Sequence, residues 1–150
     1  MPRLVSFLMV FVVLFPAVAQ AGPPTKPEDV LPYLEVVYKS GDMDAYADLL
    51  TSDFKFVMED MDAGWDKAMD IRGTTKLFEA AHAELSFTGD LSVKPGPQPG
   101  TWVIENVIGT LKVTQKKDGK VFQVQNTVSF VIRDEDGKLR IAEWRQKPGK

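Results

Sequence analysis

The chain has 150 residues, about one domain's worth, with 18 Lys and Arg against 21 Asp and Glu, a single His and no Cys. The near-balanced charge excludes an overtly basic nucleic-acid binder. The missing cysteines exclude a disulfide framework, a cysteine zinc cluster, an iron–sulfur site and a thiol nucleophile. One histidine excludes a two-histidine metal site, so no metal site and no cofactor is expected.

Residues 1–21 read as an address. Met1-Pro2-Arg3 carries one positive charge, Leu4 to Phe15 is apolar except for Ser6, and Ala17-Val18-Ala19-Gln20-Ala21 offers small-residue cleavage sites after Ala19 or Ala21. The apolar run is shorter than the roughly 18 to 20 residues that span a bilayer, so a secretory signal peptide is expected, with a periplasmic or extracellular product free of the membrane. Removal of residues 1–21 leaves 129 residues with a net charge of −4. A chain of that size buries about two-thirds of its unfolded surface, enough for a core without disulfides.

Residues 22–25 form a stiff linker around Gly22-Pro23-Pro24, and a single domain is expected over 26–148. Thr25-Lys26-Pro27-Glu28 has the spacing of a capping box with proline near the helix start. Val30, Leu31, Leu34, Val37 and Tyr38 then fall on one helical face that Gly41 terminates. Asp42 is placed to cap a short second helix with Met43, Tyr46, Leu49 and Leu50 inward. Phe54, Phe56 and Met58 alternate as a strand. The acidic segment 59–70 reads as a solvated flap. A third helix is expected to open at Thr74 or Thr75, with Leu77, Phe78, Ala81 and Leu85 buried.

From Phe87 onward the period is two. Long strands are expected at about 101–115, 121–133 and 138–147, with turns at Asp118-Gly119 and Asp134-Glu135-Asp136-Gly137. In the first of them Trp102 and Ile104 share one face while Val107, Leu111 and Val113 share the other, which predicts a bulge between Glu105 and Gly109. Long bulged antiparallel strands curl, and the helices are available to fill the concavity.

This order of elements resembles the nuclear-transport-factor-2-like superfamily, and within it the SnoaL-like, ketosteroid-isomerase-like branch. The matching stretches are Gly41-Asp42-Met43-Asp44-Ala45, Thr51-Ser52-Asp53-Phe54, Arg72-Gly73, and Phe130-Val131-Ile132-Arg133 through Glu135-Asp136-Gly137-Lys138-Leu139-Arg140-Ile141-Ala142-Glu143-Trp144. The resemblance covers roughly residues 27–147 and implies an α+β cone, three helices on the concave face of a strongly curved, mostly antiparallel sheet. It also implies a pocket at the open end and, often, a dimer formed through the sheet. Ketosteroid isomerases combine a proton-moving carboxylate after the first strand with a tyrosine and a neutral aspartic acid that stabilise the enolate oxygen. The first role falls near Asp60; the other two positions fall on Leu34 and near Ser129, which supply neither donor.

The remaining candidates come from the residues themselves. Asn126 stands amid Phe122, Val124, Val128, Phe130 and Ile132 on one strand face, where an unpaired amide costs about 1–3 kcal/mol, so it either bonds to a neighbour or orients a ligand. Glu143 continues the phase of Leu139 and Ile141 and is a second candidate proton acceptor. His82, one turn after Phe78, is the one side chain whose intrinsic pKa lies near neutrality. Trp65 on a polar loop is a candidate lid, and Tyr38 a candidate ligand contact. Asp60-x-Asp62-x-Gly64 begins like a calcium loop, but its twelfth position is Ile71 rather than a glutamate. These features favour an exported, non-catalytic domain that binds a small apolar or amphipathic molecule, or pairs with a partner or a second copy through its sheet. The alternative is a pocket enzyme of isomerase, cyclase or lyase type with Asp60 or Glu143 as general base.

Overall fold

The computed structural model describes residues 22–148; the expected signal peptide lies outside the described residues. In chain order the elements are α1 (Val30–Ser40), α2 (Met43–Asp48), β1 (Leu50–Met58), β2 (Ala63–Asp66), α3 (Lys67–Ala80), β3 (Ala81–Thr88), β4 (Lys94–Pro95), β5 (Thr101–Gln115), β6 (Val121–Glu135) and β7 (Lys138–Pro148).

The periodic residues of α1 bury together, with Val30, Leu31, Leu34, Val37 and Tyr38 all inside. The helix ends because Gly41 takes a left-handed φ of 67° and returns its N–H to the carbonyls of Tyr38 and Val37. Asp42 caps α2 by accepting from the Ala45 N–H at 3.0 Å. The Thr25 capping box does not form: Pro27–Asp29 make a single 3-10 turn with no side-chain cap, and α1 starts after it.

The strands run in the order β2-β1-β7-β6-β5-β3, with β4 beside β5. The β1–β7 pairing is parallel and the others are antiparallel. The predicted bulge in β5 is present: the register against β6 slips between Ile104 and Val107, and Asn106 adopts a φ of 56°. A second slip lies between β6 and β7, where Val131 pairs with Glu143 and Ile132 with Ile141, leaving Ala142 as the extra residue. These bulges bend the long strands into a curved sheet, and the helices pack into its hollow. The core runs from α1 and α2 to the concave strand faces, with Leu34, Tyr46, Phe54, Ile104, Phe130, Ile132 and Ile141 almost fully buried. Each such side chain contributes about 1.5–3 kcal/mol by leaving water.

An ionic lattice closes one end of the sheet. Arg133 pairs with Asp53 and Glu135, Arg140 pairs with Glu135 and Asp48, and Lys138 also reaches Asp48. The arginines therefore tie β6 and β7 to the start of β1 and the end of α2.

Two expectations are corrected. The third helix starts at Lys67, not at Thr74 or Thr75, because Asp66 caps it by accepting from the Met69 N–H at 3.0 Å and the helix continues through Gly73. It stops at Ala80, so His82 belongs to strand β3, which begins six residues before Phe87. The segment 59–70 is accordingly no free flap: it holds a 3-10 turn, β2 paired with β1, and the first turn of α3.

Candidate functional site

Between the helices and the concave sheet lies a cavity of about 510 Å³. Tyr38 of α1 and Tyr46 of α2 enter it from the helical layer, and α3 contributes Met69, Asp70, Gly73, Thr74 and Leu77. The sheet supplies Phe56 and Met58 from β1, Trp65 from β2, Leu85 and Phe87 from β3, Leu111 from β5, Val124, Asn126 and Val128 from β6, and Trp144 and Gln146 from β7. The lining is thus mostly apolar and aromatic, with a small number of polar groups, which is the usual makeup of a small-molecule site.

One glycine keeps part of this space open. Gly109 pairs with Asn126 on one side and Phe87 on the other. A Cβ on Gly109 would meet Val128 Cγ2 at 2.6 Å and Phe87 Cε1 at 3.4 Å.

The polar groups converge on Asp70. This carboxylate is only 7% exposed. The Tyr46 hydroxyl donates to its Oδ2 at 2.5 Å, and the Trp65 indole N–H donates to its Oδ1 at 2.8 Å. Burial raises the Asp70 pKa above the usual carboxylate value, and the two donors act against that rise. Burial and the neighbouring Asp70 charge push the Tyr38 phenol far above its usual range, with Tyr46 and Thr74 opposing. Tyr46 is raised likewise, by burial, Tyr38 and Asp70. Both phenols therefore stay protonated at neutral pH, and that of Tyr46 donates to Asp70.

Aromatic rings complete the wall around this cluster. Phe56 stacks on Trp65 at 4.3 Å with the planes 2° apart, and Trp144 packs against Phe56, Phe130 and Tyr38 at 5.6, 5.1 and 6.4 Å. The Trp144 indole N–H is buried without an acceptor, and it is the one such side-chain group among the described residues.

The sequence candidates divide evenly. Tyr38, Trp65 and Asn126 line the one cavity. Asp60, His82 and Glu143 lie outside it. Asp60 sits exposed on the turn Glu59–Met61, because β1 ends at Met58 and carries the chain past the cavity edge. His82 alternates outward on β3 between buried Ala81 and Ala83. Glu143 is turned to the outer face by the extra residue Ala142, which brings Trp144 inward instead; there it pairs with Arg145, which also reaches Glu59 at 3.6 Å. Leu34 is core, and Ser129 accepts from the Asn106 N–H at 2.9 Å on the bulge. Asp70 and Tyr46 are the site residues that sequence reasoning missed as such. The available signal was Asp66 four residues before Asp70: a helix begun at Asp66 turns Asp70 inward beside Trp65.

No protein-family model matches the sequence, and no curated protein matches it. Solved structures do match. A conserved protein from Planctomyces limnophilus superposes with a TM-score of 0.68 at 15% identity, covering 79% of this chain and 89% of that one. A nuclear transport factor 2-like superfamily protein from Salmonella enterica gives 0.63 at 10% identity, with coverages of 82% and 89%. An NTF2-like protein from Cytophaga hutchinsonii gives 0.60 at 14% identity, with coverages of 81% and 93%. At these identities the likeness is one of fold. The chain therefore has the nuclear-transport-factor-2-like fold, an α+β cone whose helices roof a curved, mostly antiparallel sheet.

Proposed function

We propose that this chain is an exported, non-catalytic binding protein for a small, mostly apolar molecule held in the cavity of the cone. The observation that carries this reading is the cavity of about 510 Å³, apolar over most of its wall and polar where Tyr38, Tyr46, Trp65, Asp70 and Thr74 meet. An apolar body gains by leaving water, and one polar group fixes its orientation against the cluster. Export rests on the leader-like composition of residues 1–21. A homodimer through the outer sheet face is part of the reading, supported by the polar outer phase of β6 at Gln123, Gln125, Thr127 and Ser129.

The test is a titration of the chain without residues 1–21 with Nile red, an uncharged apolar dye. The dye's emission should shift to the blue and saturate at one equivalent per chain. Val124 lines the cavity and is 48% exposed, so Val124→Arg can place its charge in water at modest structural cost. That variant should lose the saturable signal while its melting temperature stays near the parent's. Saturable binding unaffected by Val124→Arg would place the dye elsewhere and remove the support.

A second reading is favoured by one observation: Asp70 faces the same cavity as the Asn126 amide, with its proton affinity raised by burial. In an isomerase- or lyase-type enzyme, Asp70 would then take the general-base role expected of Asp60. A molecule retained from the host and released chemically changed on incubation is the outcome that this second reading predicts.

A further inference from the structure

We infer that the occupant of the cavity is an organic cation, a protonated or quaternary amine on an apolar body, with its charged head against Asp70. The inference rests on the binding reading above and names its ligand class.

Asp70 has hydrogen-bond donors but no counter-charge. Its two oxygens accept from the uncharged Tyr46 hydroxyl and Trp65 indole. Among the described residues no Lys, Arg or His forms an ion pair with it. On its own helix, Lys67 Nζ donates to the Leu50 carbonyl at 3.1 Å, while Arg72 and Lys76 are exposed and form no ion pair with it.

Among the described residues no charge near Asp70 neutralises it, and burial outweighs the groups that favour its ionised form, so its pKa lies above the usual carboxylate value. Asp70 lies in the first turn of α3, where the helix dipole favours an anion. Tyr46 and Trp65 both donate to its oxygens, and these bonds favour the ionised form against burial. A buried carboxylate held ionised is costly, and a cation brought in by a ligand offsets that cost directly. A metal ion fits poorly, since no group of three or more His, Cys, Asp or Glu is gathered to hold one among the described residues. An anionic ligand would meet like charge.

The rest of the wall suits a cation that is weakly hydrated. Tyr38, Phe56, Trp65 and Trp144 line the cavity beside Asp70, and aromatic groups attract alkylammonium heads through the ring quadrupole. Leu77, Leu85 and Leu111 leave an apolar chamber for the body of the molecule.

The experiment compares benzyltrimethylammonium with its uncharged carbon isostere neopentylbenzene, titrated into the chain without residues 1–21. The readout is the indole N–H signals in NMR. Trp65 and Trp144 line the cavity and report binding, while Trp102 lies outside it and serves as an internal reference. The cation should bind about tenfold tighter or better than the isostere, moving Trp65 and Trp144 and leaving Trp102 in place. Asp70→Asn should erase the preference, whereas Tyr46→Phe, which keeps the charge, should retain it. Equal or tighter binding of neopentylbenzene at Trp65 and Trp144 overturns the cation while leaving the cavity reading intact. Movement of neither indole by either compound overturns both. The comparison of the two compounds on the parent chain stands even if Asp70→Asn fails to fold.

Discussion

Asp70 sits in the first turn of α3 with two donors on its oxygens and apolar walls around it. Two measurements bear on that arrangement. Burial raises its pKa in the folded chain, so between the ordinary carboxylate value and the raised one the native state holds more protons than the unfolded state. Stability attributable to Asp70 is therefore greatest at acid pH and falls as pH rises through that window. Urea unfolding of the parent and Asp70→Asn across the acid range should show the parent losing ground to the variant as pH rises, then a level difference; a difference independent of pH contradicts the account. Tyr46→Phe removes a buried hydrogen bond to a carboxylate and should cost about 1.5–3 kcal/mol in the same assay. It should also raise the Asp70 titration midpoint in carbon-detected NMR, because the lost donor favoured the ionised form. Tyr38 and Asn126 were legible in the sequence because each stands on a helical or alternating apolar face, and Trp65 because it is a lone aromatic in a polar, acidic segment. Asp70 was not, since an aspartate within an acidic run reads as solvated until the helix start at Asp66 is known.

The elements differ in how plainly the sequence announces them. The β5 bulge showed itself as a switch of apolar phase between Ile104 and Val107, with two full-length faces on either side to compare. The slip at Ala142 leaves a fainter mark: Ile141 and Trp144 fall on opposite phases of an unbroken strand, and with no long apolar face after Trp144 to compare, the alternation from Leu139 and Ile141 still reads Glu143 as inward. Helix α3 was obscured by Gly73 and the Thr74-Thr75 pair, which look like a helix start. Within the structure Gly73 is an interior helical residue, and a Cβ there meets nothing within 4 Å. Gly73→Ala should thus stabilise the chain by about 0.5–1 kcal/mol in thermal or chemical unfolding. Gly109→Ala should do the opposite, since its methyl would strike Val128. A loss of about 1–3 kcal/mol is expected, as for other overpacked cores. Equal effects at the two glycines would contradict the assigned positions of α3 and β5.

At the scale of the molecule, the bulged sheet and the roof of three helices leave a hollow beside the packed core. That architecture was legible because it depends on element order and strand length, which hydrophobic period reports well. The identity of the inward polar groups was not, because the resemblance placed them at Leu34, Asp60 and Ser129, whereas this chain builds its polar cluster from α2, β2 and α3. The same fold thus presents a different set of groups to its cavity, and the chemistry must be read from the site. The most direct test is native mass spectrometry of the protein taken from the exported fraction of its own host and then mixed with an extract of that host's small molecules. The account predicts a chain shortened by cleavage after Ala19 or Ala21, a noncovalent adduct of one small molecule per chain, and loss of that adduct in Val124→Arg. A chain that carries no adduct, before or after mixing, would contradict it.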